Sequence, residues 1–179
     1  WSSDVCSSDL EDAGYTRSDF QAQSHGEDGA QIGVYGGVMY GEYQLFGAEQ
    51  PPGSNTASYY AGIANRVSYA FNLNGPSMAV DTMCSSSLTA LHLACADLAL
   101  GRTDMAFAGG VNLNLHPNKY GLLSMGQYIS GSGRCQSFGV DGDGYVPSEG
   151  VGVVLLKPLN KAMSDGDHIY GVIKSSAVN

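Results

Sequence analysis

Basic residues are scarce in this chain of 179 residues: Lys and Arg total 8 against 17 Asp and Glu, a formal charge of −9. A nucleic-acid binder needs a basic footprint, and none is present. Long apolar runs are missing too. None reaches the ~20 residues that carry a helix across a bilayer, so no membrane partner is expected. The four cysteines, Cys6, Cys84, Cys95 and Cys135, include no Cys-x-x-Cys pair, which argues against a zinc site. No signal-peptide pattern is visible; the expectation is a reducing cytoplasm without disulfides. Charged residues make up only 14%, whereas 43% are hydrophobic, enough for a packed core in one ordinary domain or part of a larger one. Glycine is abundant, at 25 residues without a collagen-like period. The glycines cluster where tight turns and close backbone approach are expected.

Both ends read as artificial. Residues 1–10 (WSSDVCSSDL) are Ser-rich and lack a helical or strand period. Within them DVCSSDL resembles the translation of a sequencing adapter, so the segment is read as non-native and Cys6 receives no role. The other end stops inside a β-like run over residues 168–178. Residues 11–179 are therefore read as a C-terminally truncated domain.

Along the chain, residues 11–15 finish a helix that turns at Gly14, and residues 31–39 (QIGVYGGVM) form a buried strand. Residues 44–56, with Pro51, Pro52 and Gly53, read as a loop. Residues 58–71 read as a helix with Ile63, Val67, Ala70 and Phe71 near one face. A turn at residues 72–76 leads to a short strand, residues 77–82. A helix over residues 84–100 follows, stopped by Gly101. Its Leu88, Leu91, Cys95 and Leu98 share a face, with Ala90, Ala94, Ala96 and Ala99 elsewhere, and it is expected to be buried on most sides. Residues 105–113 form a strand whose Ala106, Ala108, Gly109 and Gly110 imply close packing. Then come a helix within residues 117–128, a Gly-rich loop over 130–147, a strand at 151–157, a short helix at 158–165 and a strand at 168–178. Strands alternating with helices predict an α/β fold with a layered sheet.

The chemistry centres on Cys84. A strand ends, the chain turns sharply and a long apolar helix begins. A cysteine there sits in the positive field of the helix N-terminus, which favours the thiolate that attacks carbonyls. Free N–H groups of the first turn can stabilise an oxyanion. Ser85, Ser86 and Ser87 suit the capping of that turn. Physics alone makes Cys84 a candidate; a structural cysteine at a helix start is the commoner case. His92 is eight residues farther along the helix, roughly 12 Å away and beyond hydrogen-bond reach of Cys84. His116 is expected to pack or cap locally, and His25 and His168 to be exposed, so no histidine is assigned to catalysis.

The string GPSMAVDTMCSSSLTALHLACADL resembles the active-site segment of β-ketoacyl synthases, condensing enzymes of the thiolase fold. The strings IGVYGGVMY, SYYAGIANRVSYAFNLNGPS, FAGGVNLNLHPNKY, GRCQSFGVDGDGYVPSEGVGVVLLKPL and IYGVIKSSAVN resemble further segments of that family, in the same order. NLHPNKY is similar to ketosynthase domains of modular polyketide synthases, especially those served by a separate acyltransferase. The resemblance implies a thiolase-like fold, layered α/β/α/β/α, of which the N-terminal half and a little more is present. It implies decarboxylative Claisen condensation. Cys84 would take an acyl chain from the phosphopantetheine arm of an acyl carrier protein, with no cofactor bound directly. A malonyl thioester would then extend it by two carbons. The two histidines that the family uses would lie beyond Asn179. The alternatives are a non-elongating, acyl-passing ketosynthase and a stand-alone fatty-acid enzyme. A homodimer through the strand at residues 77–82 is also implied.

Two more residues acquire roles through the resemblance. Met83 would shape the acyl pocket near the dimer seam, and ordinary packing is its alternative. Phe138 would border the pocket and gate it, or be a core phenylalanine. Asp141 and Asp143 lack the spacing of a calcium loop and read as a solvated turn. Glu149 with Gly150 resembles the family's Gly-Glu-Gly element, with Ser148 in place of the first glycine, and implies a buried supporting carboxylate. Gly150-Val151-Gly152 opens a strand and is not a dinucleotide fingerprint. Cys95 and Cys135 read as structural. Arg134 and Lys119 are the weak candidates for a phosphate contact.

Overall fold

The computed structural model describes residues 2–23, 31–49, 51 and 59–179. His25, residues 50 and 52–56 of the expected loop, and residue 58 of the expected helix lie outside the described residues. In chain order the elements are α1 (Ser2–Asp12), α2 (Arg17–Gln23), β1 (Ile32–Gly37), α3 (Tyr43–Glu49), α4 (Ala61–Phe71), β2 (Ser77–Val80), a 3-10 turn (Met83–Ser85), α5 (Ser86–Ala99), β3 (Met105–Asn112), α6 (Pro117–Met125), β4 (Gly150–Leu156) and α7 (Leu159–Asp165). The chain forms two units, one of Trp1–Met39, Tyr59–Val111 and Val151–Asn179, the other of Tyr40–Ser58 and Asn112–Gly150.

The first unit is built on a sheet in the order β2-β1-β3-β4, with β2 and β3 both parallel to β1. Residues alternate across it. Ile32, Val34, Met105 and Phe107 turn to one face and pack with Cys6, Leu10, Phe20, Ala64, Val67 and Phe71 from α1, α2 and α4. Tyr35, Ala106 and Ala108 turn to the other and pack with Ala90 and Ala94 of α5. A period of two in the strands thus sends Ile32, Val34, Met105 and Phe107 to one face and Tyr35 with small residues to the other. The small residues of β3 do imply close approach: any Cβ on Gly109 would collide with the backbone of Gly152. Tyr35 is buried, and its hydroxyl donates to Asp97 Oδ2 at 2.6 Å.

Four expectations are corrected. Residues 2–12 are helical, and Cys6 and Leu10, four apart on α1, are buried in the core. One inward stripe is sufficient when a packed partner supplies the stability that propensity lacks. Burial, followed by the charge of Asp9, raises the Cys6 thiol to about 11. The expected loop over 44–56 begins with α3, which runs through Gly47 to Glu49 and ends before Pro51. On α5 the buried residues are Ser86, Ala90 and Ala94, while Leu88 is 70% exposed. The small stripe faces the sheet because only Ala allows the helix so close to β1 and β3. Residues 168–178 form no strand, and Ile169, Tyr170, Val172, Ile173 and Val178 are exposed. A strand needs a neighbour for its N–H and C=O groups, and no described strand pairs with this segment.

After β4, Lys157 fixes the approach to α7. Its ammonium donates to Asp165 and Asp167 carboxylates and to the Tyr15 hydroxyl, each at 2.6 Å. Burial alone would lower the Lys157 pKa, but these bonds reverse the shift and raise it. Among the described residues, no helix is long and apolar enough to cross a membrane.

Candidate active site

β2, β1 and β3 run parallel, and the chain leaves β2 at Val80 to reach Cys84 four residues later. Loops at the carboxyl ends of parallel strands are the usual place for a site in α/β folds. Met83 has φ +58°, in the left-handed region that a side chain with a Cβ rarely enters. This is the sharp turn expected from the sequence. Met83 N–H donates to Asp81 Oδ1 at 2.9 Å. The 3-10 turn closes with Ser86 N–H on Met83 C=O, leaving the Cys84 and Ser85 N–H groups without intrahelical acceptors.

Cys84 is an exposed free thiol at the head of the 14-residue α5. Met83 beside it is 65% exposed, so ordinary core packing does not describe it within this chain. The helix start is seated closely on the sheet. A Cβ on Gly37 would lie 2.5 Å from Ser87 N and 2.7 Å from its Cα; one on Gly110 would lie 3.0 Å from Ser87 Cβ. The serines do not cap α5 in the expected way: Ser85, at the N-cap position, makes no side-chain cap bond. Instead the hydroxyls bond backwards into the turn. Ser85 Oγ donates to Thr82 C=O at 2.9 Å, and Ser86 Oγ donates to Met83 C=O at 2.6 Å and accepts Thr82 N–H at 2.9 Å. Thr82 Oγ1 also lies 2.9 Å from Ser85 Oγ and 3.0 Å from Thr89 Oγ1. The hydroxyl-rich string around Cys84 was the available sequence signal for this network, but the direction of the bonds depends on the left-handed turn.

The other cysteines differ. Cys95 is half-buried, and burial raises its thiol. Cys135 is exposed, and its Sγ accepts Val146 N–H at 3.1 Å. His92 Nδ1 lies 2.9 Å from Ser176 Oγ, and His168 is exposed with its ring edge-on to Tyr170.

The second unit has its own polar frame. Glu42 is buried and accepts the N–H groups of Leu115 and His116 at 3.2 and 3.3 Å. His116 caps α6, its Nδ1 accepting Asn118 N–H at 3.1 Å, as expected of a local role. Lys119 is 2% exposed and donates to Asn112 Oδ1 and Leu113 C=O. That burial removes it from the surface where a phosphate would be met. Asn112 also bonds the Ser148 carbonyl, and Glu149 Oε1 accepts Asn114 N–H at 2.8 Å. Glu149 is exposed rather than buried, so its support goes to the loop backbone. Asp143 accepts from the Ser130 hydroxyl at 2.6 Å and Gly131 N–H at 2.9 Å, and these bonds lower its pKa. The loop they organise carries Phe138 at φ +61°, fully exposed within this chain. Gly150 and Gly152 fall in β4, as expected of a strand opening.

Comparison with known proteins gives this geometry its context. The family description "Beta-ketoacyl synthase, N-terminal domain" matches residues 2–162. Polyketide synthase PksL of Bacillus subtilis (strain 168) is 60% identical over 173 residues, 95% of this chain and 4% of that protein. Polyketide synthase ThaG of Burkholderia thailandensis is 56% identical over 173 residues, 95% of this chain and 3% of that protein. Among solved structures, the oxazolomycin ketosynthase domain OzmH KS7 of Streptomyces albus JA3453 matches with a TM-score of 0.80 at 52% identity, covering 89% of this chain and 28% of that one. The ketosynthase from module 6 of the bacillaene synthase of Bacillus subtilis 168 matches with a TM-score of 0.77 at 37% identity, covering 90% and 27%. The chain therefore spans a small fraction of these synthases and little more than a quarter of the solved ketosynthases, whose fold is thiolase-like. Sequence order, sheet topology and these matches agree that the chain belongs to the β-ketoacyl synthase family, within its N-terminal domain.

Proposed function

We propose that the protein containing this chain is a polyketide ketosynthase, with Cys84 as its acyl acceptor. The observation that carries the reading is an exposed thiol at the head of α5, after a left-handed residue, in a chain of this family. The Cys84 thiolate attacks the carbonyl of an acyl thioester on the phosphopantetheine arm of an acyl carrier protein. The carrier thiolate leaves, and an acyl-Cys84 thioester remains. Malonyl-carrier then loses carbon dioxide, and the resulting enolate carbon attacks the acyl-Cys84 carbonyl. A carbon–carbon bond forms, the bond to Cys84 sulfur breaks, and the product is a β-ketoacyl chain on the carrier, longer by two carbons. The Cys84 and Ser85 N–H groups are the local candidates to stabilise the oxyanion.

In this reading Met83 shapes the acyl pocket and Phe138 borders it; the exposure of both within this chain leaves their faces available. Similarity to PksL and ThaG supports the polyketide class, and the resemblance of NLHPNKY carries the reading of the kind served by a separate acyltransferase. β2 lies at the edge of the sheet, which favours homodimer formation by strand pairing. Four free cysteines fit a reducing cytoplasm. Residues 1–10 remain our candidate for an adapter-derived segment, with a part limited to packing.

The test uses the complete ketosynthase domain. It is loaded with an acyl thioester and the adduct is mapped by mass spectrometry. The expected adduct is on Cys84, is lost in Cys84→Ala, and is absent from Cys95 and Cys135. Acylation that survives Cys84→Ala overturns the reading. Sedimentation at micromolar concentration tests the dimer, and a monomer refutes it.

A further inference from the structure

We propose that Ser86 is a positioning residue for acyl transfer: its buried hydroxyl clamps the turn on both sides of Met83 and so aims the Cys84 thiol. The proposal rests on the reading of Cys84 as acyl acceptor. Three bonds meet at Ser86. Its Oγ accepts Thr82 N–H at 2.9 Å, its Oγ–H donates to Met83 C=O at 2.6 Å, and its backbone N–H donates to the same carbonyl. A hydroxyl supplies one donor and can accept in return, so a single side chain serves both ends of the Thr82–Met83 segment. Those two residues hold the unusual torsions of the turn, with Thr82 at φ −128°, ψ 37° and Met83 at φ +58°.

A left-handed conformation at a residue with a Cβ is sterically costly, so it persists only where its surroundings impose it. Asp81 holds one N–H of the turn, but its carboxylate is on an exposed residue that water can replace. The hydroxyls of Ser85 and Thr89 are on partly or fully exposed residues as well. Ser86 differs because it is only 5% exposed. If its hydroxyl is removed, Thr82 N–H and Met83 C=O lose the one side chain that ties both to the start of α5, and a water bound to either would not restore that link. The turn is then free to relax toward ordinary torsions. Cys84, the next residue, would keep its chemistry but lose its direction.

Ser86→Ala, Ser86→Thr and Thr89→Ala in the complete domain separate the possibilities. The readouts are the rate of Cys84 acylation against thioester concentration, which separates kcat from KM, and the thermal melt. Misplacement of a reacting group by about an ångström costs up to ~100-fold, so Ser86→Ala is expected to lower kcat for acylation roughly tenfold or more with KM unchanged. Thr89→Ala stays within about twofold, because its hydroxyl, on a partly exposed residue, touches only the Thr82 side chain. Ser86→Thr restores the rate by keeping the hydroxyl. Acylation by folded Ser86→Ala within twofold of the parent overturns the proposal, as does an equal loss in Thr89→Ala. If Ser86→Ala does not fold, Ser86→Thr decides: parent-like acylation supports the clamp, and a tenfold loss in folded protein refutes it. Failure of the acceptor reading is separately visible, because the parent domain would then carry no acyl group on Cys84.

Discussion

The two faces of the sheet hold the first unit together by different means. On one, Ile32, Val34, Met105 and Phe107 meet the large side chains of α1, α2 and α4, and Phe71 stacks on Phe107 with ring centroids 6.4 Å apart. On the other, Ala106 and Ala108 meet Ala90 and Ala94, and the start of α5 rests on Gly37 and Gly110. The first face buries mostly large side chains, the second Tyr35 and four alanines, and stability follows apolar burial. The alanines and glycines of the second face permit backbone-level approach, and position follows from that. One face keeps the unit folded, and the other places Cys84.

Phe107→Ala should produce the largest loss of stability, about 3–5 kcal/mol, because the cavity opens in the well-packed face. A denaturant midpoint measures it, and the fraction that remains folded should acylate at a near-parent rate. A loss below about 1 kcal/mol would break the comparison. Gly37→Ala should cost less stability, about 1–3 kcal/mol by overpacking, since its Cβ would press on Ser87 backbone. Acylation per folded molecule should nevertheless fall further than in Phe107→Ala, because α5 must move. Equal acylation by the two variants would remove the division of labour.

The smallest effect is electrostatic and has opposite signs at two positions. Burial, followed by the charge of Asp12, raises Asp9 on α1 to about 6 from 3.8. Its contribution is therefore present below about pH 4 and is lost as the pH rises through about 6. Bonds from Lys157 and Lys161 lower Asp165 to about 2 from 3.8. Its contribution is present above about pH 4 and is lost as the pH falls through about 2. Melting temperatures between pH 2 and 7 should show Asp9→Asn flattening the neutral side and Asp165→Asn flattening the acid side. The same flattening from both variants would refute the assignment.

Legibility in the sequence followed how local the determining physics is. β1 and β3 were readable from dense runs of small and apolar residues, and the end of α5 from Gly101, which has φ +66°. The turn at Met83 and Cys84 could be placed because a strand pattern stops and a helical one begins within a few residues. The face of α5 is legible only in part: periodicity marks Leu88, Leu91 and Leu98 as inward, and Leu91 and Leu98 do pack against the core, but Leu88 is exposed and the fully buried positions are Ala90 and Ala94. α1 was missed because Cys6 and Leu10 give too weak a period, and their burial depends on partners far along the chain. The run over 168–178 was over-read, because β propensity names a residue's fit to a sheet without supplying the neighbouring strand.

The sequence by itself determined the alternation of elements, the family resemblance and the place of Cys84 at a strand–helix junction. Each depends on residues close together in the chain: hydrophobic period, turn residues and a contiguous motif. Only the tertiary structure decided which helix face meets the sheet, that residues 2–12 bury a stripe, and that Ser86 bonds backwards across Met83 instead of capping α5. Those outcomes rest on backbone torsions and on contacts between distant segments. A serine three residues after a left-handed turn and a serine in an ordinary first turn are the same letter, and the direction of their hydrogen bonds follows from where the carbonyl points.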